Sequence, residues 1–296
     1  MRILVTGATG AIGRNLIKEL KQETSHTIRI LTRTQHSSEK DTKNFENTKG
    51  DLADTESLSR ACADVDTIIH LAGITHAHNS SLYDKINRVG SENLIHAAER
   101  AGIKRFIFLS SKTASYSGGA YAESKIRVEE SLADSQLNWV IVRPAEVYGL
   151  DKNDSVQKLI DFLKKGYPCP IIGKGHYRIA PVSVNDVING LMSIIDNDES
   201  VGNTYIFQGP KDYTFVNFLS ILERKLGKKI VKLHLPVFVI RTLAYFCYLF
   251  RSDMLYRDQI PRLLCKKDSD GMGSFSDLGI KPTEFDQLAG QLVMHD

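Results

Sequence analysis

With 296 residues, the chain suits one large α/β domain with a smaller appended part and is short for three domains. A 42% apolar share supports a sizeable core, and a net charge of +3 with no aromatic-interleaved Lys/Arg run excludes a nucleic-acid partner. The four cysteines, Cys62, Cys169, Cys247 and Cys265, lie far apart in no zinc-site or redox-pair spacing, so no metal is expected and reduced thiols of a cytoplasmic protein are the reading.

The chain opens on MRILVTG, which enters a strand at once and leaves no room for a signal peptide. Arg2–Thr6 is an apolar run meeting glycine, as a buried parallel strand does. From Gly10 to about Thr24, Ile12, Leu16, Ile17 and Leu20 share one helix face. Thr27–Thr32 reads as a strand, Thr55–Ala61 as a helix capped by Asp54, and Thr67–Leu71 as a strand. Asn87–Ala101 is helical, Arg105–Ser110 a strand, Ala120–Ala133 a helix and Trp139–Arg143 a strand. This alternation implies a parallel sheet covered on both faces.

After Pro144 the rhythm changes. Ser155–Lys165 reads as a helix, 166–175 as a loop, and Val182–Val184 and Thr204–Phe207 as short strands around a helix near Val187–Ile195. Phe215–Leu226 is helical, and the tail Asp268–Asp296 is mostly loop with one short helix. The apolar stretch Leu233–Phe250 holds His234, Pro236 and Arg241 and is too short and interrupted to span a bilayer. It reads as a buried or partly exposed helix, with membrane contact not expected.

The chemistry begins at Thr6-Gly7-Ala8-Thr9-Gly10-Ala11-Ile12-Gly13. Between a strand and a helix, Gly7 permits a tight turn, Gly10 lets the backbone approach a pyrophosphate, and Gly13 lets the helix pack closely. The helix N-terminus then offers N–H groups and a positive dipole end to phosphates, which makes Thr9, Ala11 and Ile12 cofactor-facing as well. At the end of the second strand no acid stands ready for a ribose 2′-OH. Arg33 there either pairs with a 2′-phosphate or is a solvated surface charge. Asp51, with Leu52 after it, either accepts from the adenine amino group or is a plain loop carboxylate. These residues favour NADP(H), with NAD(H) as the alternative.

Tyr121 and Lys125 stand at i and i+4 on one helix and can point into one cleft. A phenol titrates near about 10, and a neighbouring ammonium would favour the phenolate. Tyr121 can then take a hydroxyl proton as hydride leaves or protonate a carbonyl oxygen as hydride arrives. Lys125 can also hold the nicotinamide ribose. Ser111, ending the strand RFIFLSS, is the expected donor to the substrate oxygen, with Ser110 and Thr113 as alternatives.

Together these motifs resemble the extended short-chain dehydrogenase/reductases, specifically the NAD-dependent epimerase/dehydratase family that acts on nucleotide sugars, over about residues 1–210. His70-Leu71-Ala72-Gly73 is similar to the family segment beside the cofactor, which implies Leu71, Ala72 and Gly73 as contacts. The stretch from Asn87 to Asn93 resembles the NVxGTxN helix and implies Asn87. Arg143–Gly149 resembles RPxxVYG, which places Pro144 and Val147 at the nicotinamide. The stretch from Pro181 to Val187 resembles the segment anchoring the substrate domain.

The resemblance implies a Rossmann-like doubly wound parallel sheet with a smaller C-terminal substrate domain. The dinucleotide-binding part would span 1–165 and the substrate-binding part 166–296, with segments near 182–207 returning to the main domain. It implies a homodimer, and Thr75 and Ser111 at the substrate. Arg178 either binds a substrate diphosphate, one residue out of the usual register, or is a surface arginine. Family dehydratases carry Asp-Glu where this chain has Lys112-Thr113, so dehydration is not expected. The reading is a nucleotide-sugar epimerase or 4-ketoreductase in polysaccharide synthesis, acting on a nucleotide-diphosphate sugar. The alternatives are a reductase of small aldehydes or ketones and a non-catalytic NADP-binding assembly or sensor protein.

Overall fold

Runs of Ile, Leu, Val and Phe flanked by glycine and polar turns form the strands of the sheet, as their composition dictates. The computed structural model describes residues 1–23, 25–34, 44–149, 154–252, 255–267 and 273–294. The loop of residues 34–43, expected from the sequence to offer further cofactor contacts beyond Arg33, lies outside them from residue 35 to residue 43.

The first half alternates β1 (Arg2–Thr6), α1 (Ala11–Leu20), β2 (Thr27–Thr32), β3 (Phe45–Lys49), α2 (Thr55–Cys62), β4 (Thr67–His70), α3 (Gly90–Arg100), β5 (Arg105–Leu109), α4 (Ala120–Ala133) and β6 (Asn138–Pro144). There follow β7 (Val147–Tyr148), α5 (Ser155–Lys164), β8 (Cys169–Ile172), β9 (Arg178–Ile179), β10 (Val182–Ser183), α6 (Val184–Ile195), β11 (Thr204–Phe207), β12 (Tyr213–Thr214) and α7 (Phe215–Leu226). The last elements are β13 (Lys232–Leu235), α8 (Val237–Leu249), α9 (Gln259–Leu264), β14 (Gly273–Ser274) and α10 (Phe285–Met294).

The main sheet has eight strands in the order β14-β11-β6-β5-β4-β1-β2-β3, and every pairing in it is parallel. Parallel strands need covered faces, and two apolar clusters supply them. Ile3 and Val5 of β1 point to the side of Leu16, Leu20, Ile188 and Leu191, so α1 and α6 cover that face. Leu4 points to the side of Leu58, Leu94, Ala98 and Val128, which puts α2, α3 and α4 on the other. A third cluster joins α5, α7, α10 and β8 through Ile160, Phe218, Leu222 and Phe285.

Three sequence expectations are corrected. The helix expected from Asn87 begins earlier, as a π-helical stretch over Tyr83–Val89 that runs into α3. The tail holds more than a loop and a short helix: β14 pairs with β11 at the sheet edge, and Phe275 stacks on Phe207 at 4.4 Å. Leu233–Phe250 is not one helix. Its first residues form β13 beside β8, Pro236 starts α8, and most of α8 is exposed. Proline fits that N-cap position because the N–H it lacks would have no intrahelical partner.

Candidate active site

The strand order reverses between β1 and β4, which opens a crevice beyond their carboxyl ends. The glycine loop lies on one side of it and Leu71–Gly73 on the other. Gly7 has φ of +74°, and a Cβ there would stand 2.6 Å from the Ala72 backbone N, so only glycine lets the two segments meet. Gly10 donates its N–H to the Gly7 carbonyl at 2.9 Å and starts α1 with no side-chain cap. A Cβ on Gly13 would lie 2.2 Å from the Gly7 carbonyl oxygen, so α1 packs on the loop itself. A loop that excludes Cβ atoms, leading to an uncapped helix N-terminus that contains Ala11 and Ile12, fits a dinucleotide pyrophosphate.

Arg33 is exposed just past β2, where Thr32 accepts from Gly50 N–H at 2.9 Å, and no carboxylate stands against it among the described residues. Asp51 is exposed, and its carboxylate accepts from Ala53 N–H at 2.9 Å, while Asp54 caps α2. Leu52 is half-buried and its carbonyl accepts from Asn93. Asn87 exchanges hydrogen bonds of 2.8 and 3.0 Å with the Ile74 backbone and a further one of 3.3 Å with Ser124. It thereby pins the strand β4 exit to α4.

The catalytic candidates converge beside this crevice. Tyr121 and Lys125 are both buried on α4, and the Lys125 ammonium donates to the Leu109 carbonyl at 2.9 Å and lies 4.7 Å from the Phe108 ring centre. Burial brings Lys125 down to about 8, with Glu129 opposing the shift. Burial raises the Tyr121 phenol above its ordinary 10, while Arg262 and a hydrogen bond from Ser111 pull the other way. This corrects the expectation that an ammonium next to it favours the phenolate: the cation acting on Tyr121 is Arg262, and burial outweighs it. Ser111 exchanges a 2.9 Å hydrogen bond with Thr113. The alternative Ser110 is buried and donates to Glu129, which also holds Arg143, so it is not free to meet a substrate. Pro144 follows Arg143 at the end of β6, and its carbonyl accepts from Lys112 N–H at 2.9 Å. Val147 pairs with Val182 beyond it.

Beneath the site, His70 bridges Thr6 Oγ1 (2.6 Å from Nδ1) and Ser91 Oγ (2.8 Å from Nε2). Burial, helped by Lys125, lowers it to about 3, so the ring is neutral. A neutral imidazole donates through one nitrogen and accepts through the other, which suits two hydroxyls.

Other site residues come from far down the chain and carry no motif. Asp258 accepts from Tyr121 N–H at 3.2 Å, and a Cβ on Gly119 (φ +88°) would lie 2.6 Å from its carboxylate. Arg262 places its guanidinium 4.4 Å from the Tyr121 ring centre, pairs with Asp258 at 2.9 Å and donates to the Thr75 carbonyl at 2.9 Å. Thr75 itself is exposed, with its hydroxyl on His76. The one sequence signal was the i, i+4 spacing of Asp258 and Arg262. Arg178 is 57% exposed and its guanidinium is held by Asp212 at 2.8 Å. Among the described residues no cluster of His, Cys, Asp or Glu could hold a metal.

Fold and site together define a dinucleotide-binding α/β enzyme of the short-chain dehydrogenase/reductase class. The model of the NAD dependent epimerase/dehydratase family matches residues 3–208, and the chain belongs to that family. It is 26% identical to the UDP-glucose 4-epimerase of Vibrio cholerae, over 95% of this chain and 91% of that one. It is 24% identical to a 3 beta-hydroxysteroid dehydrogenase/Delta 5→4-isomerase of Mycobacterium tuberculosis, over 79% and 72%. Among solved structures, UDP-glucuronic acid 4-epimerase from Bacillus cereus, in complex with UDP-glucuronic acid and NAD, superposes with a TM-score of 0.68 at 22% identity, covering 80% of this chain and 86% of that one.

Proposed function

We propose that this chain moves a hydride at a ring carbon, C4, of a nucleotide-diphosphate sugar, as a 4-ketoreductase or 4-epimerase, with Tyr121 exchanging the proton. The observation that carries this reading is the convergence of Ser111, Tyr121 and Lys125 beside a glycine cradle at the β1–β4 crevice. The similarity to sugar 4-epimerases from two bacteria supports the substrate class.

NAD(P) supplies the hydride chemistry when bound. Gly7, Thr9, Gly10, Ala11, Ile12 and Gly13 would hold its pyrophosphate, Arg33 a 2′-phosphate, Asp51 and Leu52 the adenine side, and Leu71–Gly73 with Asn87, Pro144 and Val147 the remaining length. Ser111 donates to the substrate oxygen and holds it near the Tyr121 hydroxyl. Tyr121, kept protonated by burial, gives its proton to a ketone oxygen, and the proton returns to it in the reverse direction. Lys125 would reach the nicotinamide ribose, and Arg262 is the cation that favours the phenolate left behind. Arg262, over the Tyr121 ring, and Arg178 are the two cations that would meet the anionic diphosphate of such a substrate.

Arg33, with no carboxylate against it among the described residues, supports NADP(H), and an exchangeable reduced cofactor supports reduction over epimerisation. The four cysteines are free, in keeping with work in the reducing cytoplasm, and α3 and α4 offer a homodimer face. A thermal-shift screen tests the reading: UDP or dTDP sugars should raise the melting point in the presence of NADPH. Stabilisation by steroid or small ketones but by no nucleotide sugar would overturn the substrate class.

A further inference from the structure

Helix α8 is apolar on its buried and its exposed faces, with Arg241 and Thr242 as the exceptions. Its buried stripe is Ile240, Ala244 and Cys247, and Ile240 and Ala244 pack with Ile172 and Ile260. Opposite the stripe, spaced i, i+4, i+7 and i+11, stand Phe238, Thr242, Tyr245 and Leu249. Phe238 is 70% exposed, Leu249 57% and Phe250 just beyond 76%, and Leu243, Tyr245, Phe246 and Tyr248 are exposed with them. A surface helix normally turns charge to water, and one that is apolar all round is covered by something.

The charges identify what covers it. From Pro236 to Phe250 the single charged residue is Arg241. Arg251 follows the helix, and Arg257 lies over the Tyr245 and Tyr248 rings at 5.8 and 5.5 Å. All three arginines are exposed, and none meets a carboxylate among the described residues. The nearby Asp258 is turned inward onto Arg262. A second copy pairing through the same face would bring these arginines against each other. An anionic lipid surface complements them. Tyr and Phe flanked by arginine suit the boundary between headgroups and acyl chains. At 13 residues, about 20 Å, α8 can lie in that boundary but not cross it, and no helix among the described residues is long and apolar enough to do so.

We propose that α8 docks this protein on an anionic membrane surface, lying flat with Phe238, Phe246 and Leu249 inserted and Arg241, Arg251 and Arg257 at the headgroups. The docked helix is also a wall of a cavity of about 520 Å³, lined on one side by Arg241, Tyr245 and Tyr248 and on the other by Asp258 and Pro261. Asp258, on the far wall of that cavity, also accepts from the Tyr121 backbone N–H, so the docked face and the candidate active site share this residue. The proposal stands on the surface of α8 and holds whatever the substrate is.

The test is flotation of the full chain with vesicles of phosphatidylcholine alone or mixed equally with phosphatidylglycerol. The chain should float with the anionic vesicles, and weakly or not at all with the neutral ones. The triple variant Phe238→Ser, Phe246→Ser, Leu249→Ser should lower partitioning at least about tenfold while NADPH titration stays unchanged, because exposed apolar area is what is lost. The double variant Arg241→Gln, Arg251→Gln alters only exposed side chains and should weaken binding to the anionic vesicles selectively. No flotation of the wild type, or unchanged binding of the double variant, overturns the proposal. So does light scattering that shows a dimer which the triple variant splits, with no vesicle binding, since the face would then belong to a second copy.

Discussion

The candidate site has two walls built on different terms. On the sheet side, Thr6, His70, Ser91 and Asn87 form a buried hydrogen-bonded run under Lys125, and Glu129 and Arg143 form a buried pair beside it. On the other side, Asp258 and, from α9, Pro261 and Arg262 reach the site, and α8 beyond it faces outward with exposed aromatics. The first wall fixes the reacting groups in place, where small displacements cost rate. The second touches Tyr121 from 137 residues away in sequence, where chain can vary without disturbing the first. On the proposals above, chemistry belongs to the sheet wall, and choice of substrate and location to the roof.

The largest effect that sharpens this division is at Tyr121. Tyr121→Phe should keep fold and cofactor binding while turnover falls about 100- to 10,000-fold, as for loss of a positioned acid. Steady-state turnover within a few-fold of wild type would assign the proton to another group. Next is Arg33→Ala, which should erase an NADPH-over-NADH preference of about 10- to 150-fold, read by fluorescence titration of both cofactors. Tighter NADH binding by the wild type would break the cofactor reading.

The sheet wall should also show itself in acid. His70 titrates near 3 in the fold and at its ordinary 6.5 when unfolded. Below 6.5 the unfolded chain takes up a proton that the folded chain refuses, so stability is full above that pH and falls toward 3. The loss from this group is about 1.4 kcal/mol per pH unit, or about 2 kcal/mol at pH 5. Urea unfolding at pH 7 and 5 measures it, and His70→Gln should flatten that part of the slope. An unchanged slope in the variant would remove His70 as its source. The roof gives the smallest effect: Arg262→Ala should raise the Michaelis constant for a nucleotide sugar about tenfold and move the tyrosine limb of the pH profile upward, because the cation over the ring is gone. Unaltered kinetics would leave Arg262 as a structural partner of Asp258.

Which parts were legible in the sequence follows the same division. The glycine loop, Ser111, Tyr121 and Lys125 sit on local patterns, a strand meeting glycine or an i, i+4 pair, so they could be read directly. The helix Ala120–Ala133 and the strand Thr204–Phe207 have the bounds expected of them. The π-helical start at Tyr83 was not legible, because Tyr83 is held by a bond to Ala77 N–H rather than by any periodicity. Nor was β14, two residues given their strand partner by β11. Asp258 and Arg262 lie in a stretch whose meaning is tertiary. Leu233–Phe250 was read as apolar, but the pattern carried no face because the exposed residues are as apolar as the buried ones.

The most direct test of the central claim follows the hydride. The chain is given a nucleotide 4-ketosugar with reduced cofactor carrying deuterium at the transferable position of the nicotinamide, and the product sugar is read by mass spectrometry and NMR. Hydride transfer at C4 predicts deuterium on that carbon, formed by the wild type and strongly slowed in Tyr121→Phe. A sugar that binds with the cofactor yet never acquires the label at C4 would contradict it.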